Sequence, residues 1–151
     1  MIAYSRVFVN DLVKKANADG IERFVAGAVI VKDDSALILQ RARADFMGGL
    51  YEIPSGGVEE GESIEDALAR ETLEETGLKI SGILYYVSSF DYLSSKGKKT
   101  RQFNFLVKVG DGEVKLSEEH EKFAFVKQDD LGAYNITPDV KEAIESALNP
   151  Q

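Results

Sequence analysis

Between Gly56 and Leu78 the chain reads GGVEEGESIEDALARETLEETGL, a glycine-bearing turn running straight into a carboxylate-rich helical stretch. Ser63 stands where an N-cap belongs, Asp66 takes the third helical position, and Gly77 follows the last turn. Positions three or four apart are neighbours on a helix, so Glu71, Glu74 and Glu75 share one face, with Arg70 beside them. Like charges at that spacing destabilise an isolated helix by roughly 0.2–0.5 kcal/mol per pair. Folding alone gives no reason to crowd them. A hard divalent cation does, because Mg²⁺ is held by a few carboxylates while keeping waters and accepting phosphate oxygens. The chain must therefore fold so that this stretch of helix faces a cleft.

The segments around it supply strands and two more helices. Phe24 to Val31 is rich in β-branched residues and reads as a strand, turning at Asp33-Asp34-Ser35 into its hairpin partner Ala36 to Gln40. Tyr51 to Pro54 is a short strand leading into the loop, helix and stop of residues 56–78. Lys79 to Phe90 and Arg101 to Val109 flank a polar turn, Ser94-Ser95-Lys96-Gly97, as a long antiparallel hairpin. Phe123 to Val126 forms a further strand and Asp129-Asp130-Leu131 a helical turn. Thr137 caps a last helix that has Pro138 at its first position and runs through Leu148. Ser5 to Ala18 has a helix-like or mixed pattern. Strands and helices mix without regular alternation, which defines an α+β class. Residues 1–151 are expected to form one domain, with 1–20 as an N-terminal extension.

Composition removes several functions. A net charge of −8 argues against binding a long nucleic-acid backbone, while a small phosphorylated substrate stays acceptable once cations invert the local field. The chain has no cysteine, which excludes disulfides and thiol catalysis and fits a cytoplasmic setting. Its longest apolar run, Val25 to Val31, is too short to span a bilayer, and the N-terminus does not read as a secretory signal.

The spacing also fits G-x5-E-x7-R-E-U-x-E-E-x-G-U, where U is a bulky aliphatic, through Gly56, Glu62, Arg70, Glu71, Glu74, Glu75, Gly77 and Leu78. It resembles the Nudix box of the Nudix hydrolases, which cleave diphosphates linked to another moiety. Thr72 departs from the pattern, in a slot expected to face the core. The resemblance implies an α/β/α sandwich around a mixed sheet, with the catalytic loop and helix lying between strands. It further implies Mg²⁺ dependence, with Mn²⁺ as a substitute. Glu74 and Glu75 are the first choices as metal ligands, and Glu71 is a third ligand or the base that deprotonates water. Glu62 and Arg70 are expected to pair and hold the loop against the helix, with Arg70 also orienting the carboxylates. A backbone carbonyl of Ser55 or Gly56 would complete the metal shell, and Gly56 and Gly77 are structural within the box.

Outside the box, the resemblance points to Glu119 as a fourth carboxylate, at once catalytic and metal-binding. His120 reads as a loop residue rather than a general base. Arg41, Arg43 and Arg101 are candidates for meeting phosphates; Phe46, Tyr51, Phe103 and Phe105 for stacking on a base; and Asp139 for reading a purine edge. The segment Ser81 to Ser95 lacks proline, which discounts NADH cleavage, and Tyr92-Leu93-Ser94 stands where ADP-ribose hydrolases place a proline. A MutT-like pyrophosphatase remains, acting on a nucleoside triphosphate or an oxidised purine nucleotide such as 8-oxo-dGTP. The alternatives are an ADP-ribose, nucleotide-sugar or dinucleotide polyphosphate hydrolase, or a non-catalytic nucleotide sensor. A homodimer through Met1 to Asp19 is also expected.

Overall fold

The computed structural model describes residues 1–43 and 48–149. The order of elements is β1 (Ile2–Ala3), α1 (Arg6–Ala18), β2 (Arg23–Lys32), β3 (Ser35–Arg41), β4 (Tyr51–Glu52), β5 (Ser55–Gly57), α2 (Ile64–Thr76), β6 (Ile80–Leu93), β7 (Lys99–Val109), β8 (His120–Lys127), a 3₁₀ helix (Gln128–Ala133) and α3 (Pro138–Leu148). The sheet runs β1-β6-β7-β2-β3-β4, with β5 also on β2 and β8 also on β3. It is mixed: β2 and β7 are parallel from Arg23↔Thr100 to Ile30↔Val107, whereas β6 and β7 form the antiparallel hairpin.

Side-chain alternation divides the core between the two faces of this sheet. Leu37, Leu39, Ala26, Ala28, Phe103 and Phe105 pack on one face with Val9 and Ala16 of α1 and Ile64, Ala67 and Leu68 of α2. Ala36, Ile38, Val29 and Ile53 pack on the other with Val140, Ile144 and Ala147 of α3. A strand covered on both sides needs apolar residues on both, which is why β2 reads as a continuous apolar run rather than an alternating one. The result is the α/β/α sandwich.

The central hairpin splits. β2 and β3 pair only near their turn, at Val31↔Ala36 and Lys32↔Ser35, where Asp33 and Asp34 take positive φ. Farther on, β2 exchanges β3 for β5, at Val25↔Gly57 through Gly27↔Ser55, while β3 pairs with β4 and β8. The segment from β4 to β5 thus bridges two diverging strands. Gly56 and Gly57 lie in a short strand, a correction to the loop expected there. Pairing with β2 gives their backbone partners that a loop would have left to water.

α1, expected as an extension, shares the core with α2 through Val9 and Ala16, and Ser5 caps it by accepting from the Phe8 N–H.

Candidate active site

The buried stripe of α2 runs through Ile64, Ala67 and Leu68 and then continues into Thr72 and Glu75, with the half-buried Glu71 beside them. The helix face that begins as core therefore ends as carboxylate. Ser63 Oγ accepts from the Asp66 N–H at 3.0 Å, and Gly77 ends the helix in the left-handed region, with φ 72°. Thr72 is buried, as expected, and its hydroxyl has no hydrogen-bond partner among the described residues.

β5 receives this face. Glu75 Oε1 accepts from the Ser55 N–H at 2.9 Å. A side chain at Gly56 would place its Cβ 2.0 Å from Glu71 Cδ, so only glycine lets that carboxylate lie against the strand. Glu74 is turned away: its side chain is 55% exposed and sits 3.4 Å from Arg70. The three glutamates thus do not share one environment, because Glu74 lies on the solvent side of the stripe.

Arg70 ties the loop to the helix. Its Nε and Nη2 grip both oxygens of Glu62 at 2.8 and 2.9 Å, Nη2 also donates to the Gly57 carbonyl at 3.0 Å, and Nη1 donates to Glu71 at 2.8 Å. The guanidinium and the Glu59 N–H hold the Glu62 carboxyl down at about 2.

Glu75 shows the opposite effect. It is 3% exposed, and burial, reinforced by Glu52, Glu71 and Glu119, outweighs the Ser55 hydrogen bond and pushes its carboxyl up to about 9. Burial also raises Glu71, against the pull of Arg70. Anions this crowded and this dry call for a counter-charge, and a divalent cation supplies one. Carboxylate oxygens of Glu75 and Glu119 and a ring nitrogen of His120 all lie within 4.8 Å of one another. These residues fit a metal ion.

Around them opens a cleft of about 830 Å³. Of the residues expected at the site, Gly56, Glu71, Glu75, Glu119, Arg41, Tyr51 and Asp139 line it. Tyr51 is braced edge-on by Tyr134, with ring centres 5.1 Å apart. Arg41 is paired with Glu52 at 3.2 Å.

Arg101 is not brought in. It lies on the sheet face opposite Gln102, bonded to Asp91 at 2.7 Å and Asp19 at 3.0 Å, so its charge is spent on joining β6 to the end of α1. The same alternation buries Phe103 and Phe105 as core. Phe46 lies outside the described residues, and Arg43 is not among the cleft residues.

Several cleft residues were not expected. Arg23, Lys96 and Lys98 add positive charge, and Gln102 lines the same cleft. Gln102 Nε2 donates to Asn104 Oδ1 at 2.9 Å, and that buried amide pair packs so closely on β2 that a Cβ at Gly27 would meet it at 2.5 Å. Gln102 and Asn104, which alternate with Phe103 and Phe105 in β7, were the available signal. Glu52 also lines the cleft, between Arg41 and His120. His120 itself is corrected from a loop residue to the first residue of β8, 5% exposed, with Nε2 2.8 Å from Glu52 Oε2.

A loop-to-helix carboxylate site set between the splayed strands of an α/β/α sandwich is the arrangement of a Nudix hydrolase. The NUDIX domain family model matches residues 22–147, and the chain belongs to that family. It is 30% identical over 120 residues to the nucleoside triphosphatase NudI of Escherichia fergusonii, covering 71% of this chain and 84% of that protein. Among solved structures, the MutT Nudix hydrolase of Burkholderia pseudomallei superposes with a TM-score of 0.71 at 28% identity, covering 82% of this chain and 95% of that one. The MutT protein of Methanosarcina mazei shares the fold with a TM-score of 0.73 at 24% identity, covering 83% and 91%. The chain is therefore a hydrolase of nucleoside triphosphate or diphosphate derivatives. No described helix is long and apolar enough to cross a membrane.

Proposed function

We propose that this hydrolase is a Mg²⁺-dependent pyrophosphatase of nucleoside triphosphates, including oxidised purine nucleotides, that releases a nucleoside monophosphate and pyrophosphate. The observation that carries this reading is the composition of one cleft: its lining joins the carboxylates Glu71, Glu75 and Glu119 to the cations Arg23, Arg41, Lys96 and Lys98 and to Tyr51 and Asp139. A triphosphate has anionic oxygens for both sets of charges, and a base has a face for the tyrosine. The likeness to NudI and to MutT proteins supports the same substrate class.

Glu75 and Glu119 are the side chains that would hold the cation, with the Gly56 carbonyl beside them, Glu74 at the rim, and Glu71 either a third ligand or the base that takes the proton of the attacking water. When bound, the cation neutralises phosphate oxygens and makes hydroxide available near neutral pH. The role of base is supported by burial, which lifts the basicity of Glu71 above that of a solvated carboxylate. Arg70 holds Glu71 in place through the 2.8 Å contact. Arg41 and Arg23 offset the charge that gathers on the leaving phosphate, and Asp139, at the start of α3, accepts from a purine edge.

Incubating the protein with a panel of canonical and oxidised triphosphates, ADP-ribose, nucleotide sugars and dinucleotide polyphosphates, with products identified by chromatography, tests this. Pyrophosphate and a monophosphate from a triphosphate are expected. Preferred cleavage of ADP-ribose or a dinucleotide would overturn the substrate assignment in favour of the alternative hydrolases.

A further inference from the structure

His120 is the chain's single histidine, and nothing in the proposed mechanism uses it. Its ring is buried, with one nitrogen committed and the other stranded. Nε2 lies 2.8 Å from Glu52 Oε2, and an ionised carboxylate only accepts, so the ring hydrogen belongs on Nε2. Nδ1 is then a lone-pair acceptor, and it has no hydrogen-bond partner among the described residues although it is shut off from solvent. A stranded buried acceptor carries a penalty of about 1–3 kcal/mol unless something fills it.

The surroundings say what fills it. The His120 ring contributes to the same 4.8 Å cluster as Glu75 and Glu119. Two ligands about 2.1 Å from one ion lie at most about 4.2 Å apart, so small side-chain rotations bring the three onto a single cation. Glu52 completes a familiar arrangement, in which a metal-binding imidazole donates its other N–H to a carboxylate that fixes its tautomer and orientation.

We propose that His120 is a nitrogen ligand of the active-site cation, through Nδ1, with Glu52 as its positioning residue and Glu75 and Glu119 as its oxygen partners. This rests on the metal-dependent reading above and extends it. An imidazole in place of an oxygen shifts preference away from hard Mg²⁺ and toward Mn²⁺, Co²⁺ or Zn²⁺. The site would then bind Mn²⁺ more tightly than Mg²⁺ by more than an all-oxygen site does.

The test is pulsed electron paramagnetic resonance on tag-free protein loaded with Mn²⁺. With one histidine, ¹⁵N labelling of histidine alone gives an unambiguous reporter. The expected result is a nitrogen coupling to bound Mn²⁺ that changes with the label and vanishes in His120→Gln. Calorimetry should show the same substitution weakening Mn²⁺ or Co²⁺ at least tenfold while changing Mg²⁺ far less. Bound Mn²⁺ that is lost in Glu75→Gln but shows no nitrogen coupling in the wild-type protein would overturn the proposal and leave the carboxylate site standing. Failure of the wild-type protein to bind Mn²⁺ at all would overturn both. The decisive spectrum is that of the wild-type protein, so it does not depend on how well the variants fold.

Discussion

Two buried side chains on α2 show how one residue can oppose stability and serve the site. Thr72 occupies a slot suited to a bulky aliphatic, and its hydroxyl is buried without a partner among the described residues. Thr72→Val keeps the shape and removes the unmatched group. We expect it to raise stability by about 1 kcal/mol and the melting temperature by about 2–4 °C, with turnover unchanged; calorimetry and a kinetic assay check both. Glu75 acts through its charge. Its carboxyl is lifted from the ordinary 4.5 to about 9 in the folded chain, so between those values the folded state holds a proton that the unfolded state has lost. Its effect on stability is absent below the lower value, and the loss grows as pH rises through the upper one. The metal-free protein should therefore melt at progressively lower temperature from about pH 4.5 to 9. A divalent cation should restore stability most at the alkaline end, and Glu75→Gln should flatten the slope. A flat wild-type profile in chelator would show that Glu75 is not the strained group.

At the scale of elements, the site depends on how closely α2 meets β5. Gly56 is the contact point, since any Cβ there would overlap the Glu71 carboxylate. That obstacle is the end of a side chain and can swing aside, so Gly56→Ala should fold with only a small drop in melting temperature while losing most of its activity. A variant that retains full turnover would remove Glu71's position from the mechanism. Arg70 works at the same junction: its hold on Glu62 and on the Gly57 carbonyl fixes the loop, and its hold on Glu71 fixes the acid. Much of this could be read in advance. The helix bounds follow from spacing and caps, because a helix turns at a constant 100° or so per residue, and the Glu62–Arg70 pair and the inward Thr72 are what the resemblance to the Nudix box implies. The strand at Ser55–Gly57 could not be read, because its reason is a partner strand about thirty residues upstream.

For the molecule as a whole, the cleft exists because β2 leaves β3 to pair with β5, opening a gap that α2 floors with carboxylate. The chain carries a net −8 and yet gathers Arg23, Arg41, Lys96 and Lys98 around that gap, so anionic substrate is accepted there only with its charge matched. Activity should disappear in EDTA and return with added Mg²⁺ or Mn²⁺; hydrolysis that persists in chelator would exclude metal assistance. Local spacing was enough to specify the carboxylate helix, its caps, the hairpins and the family, since each depends on residues within a turn or a few strand positions. Which charged groups meet was decided only by the tertiary structure. Strand parity sends Arg101 to the face opposite the cleft and into a salt bridge, and the pairing of β3 with both β4 and β8 brings Glu52 and His120, 68 positions apart, to 2.8 Å. Such contacts depend on strand register and burial, and neither is set by neighbours along the chain.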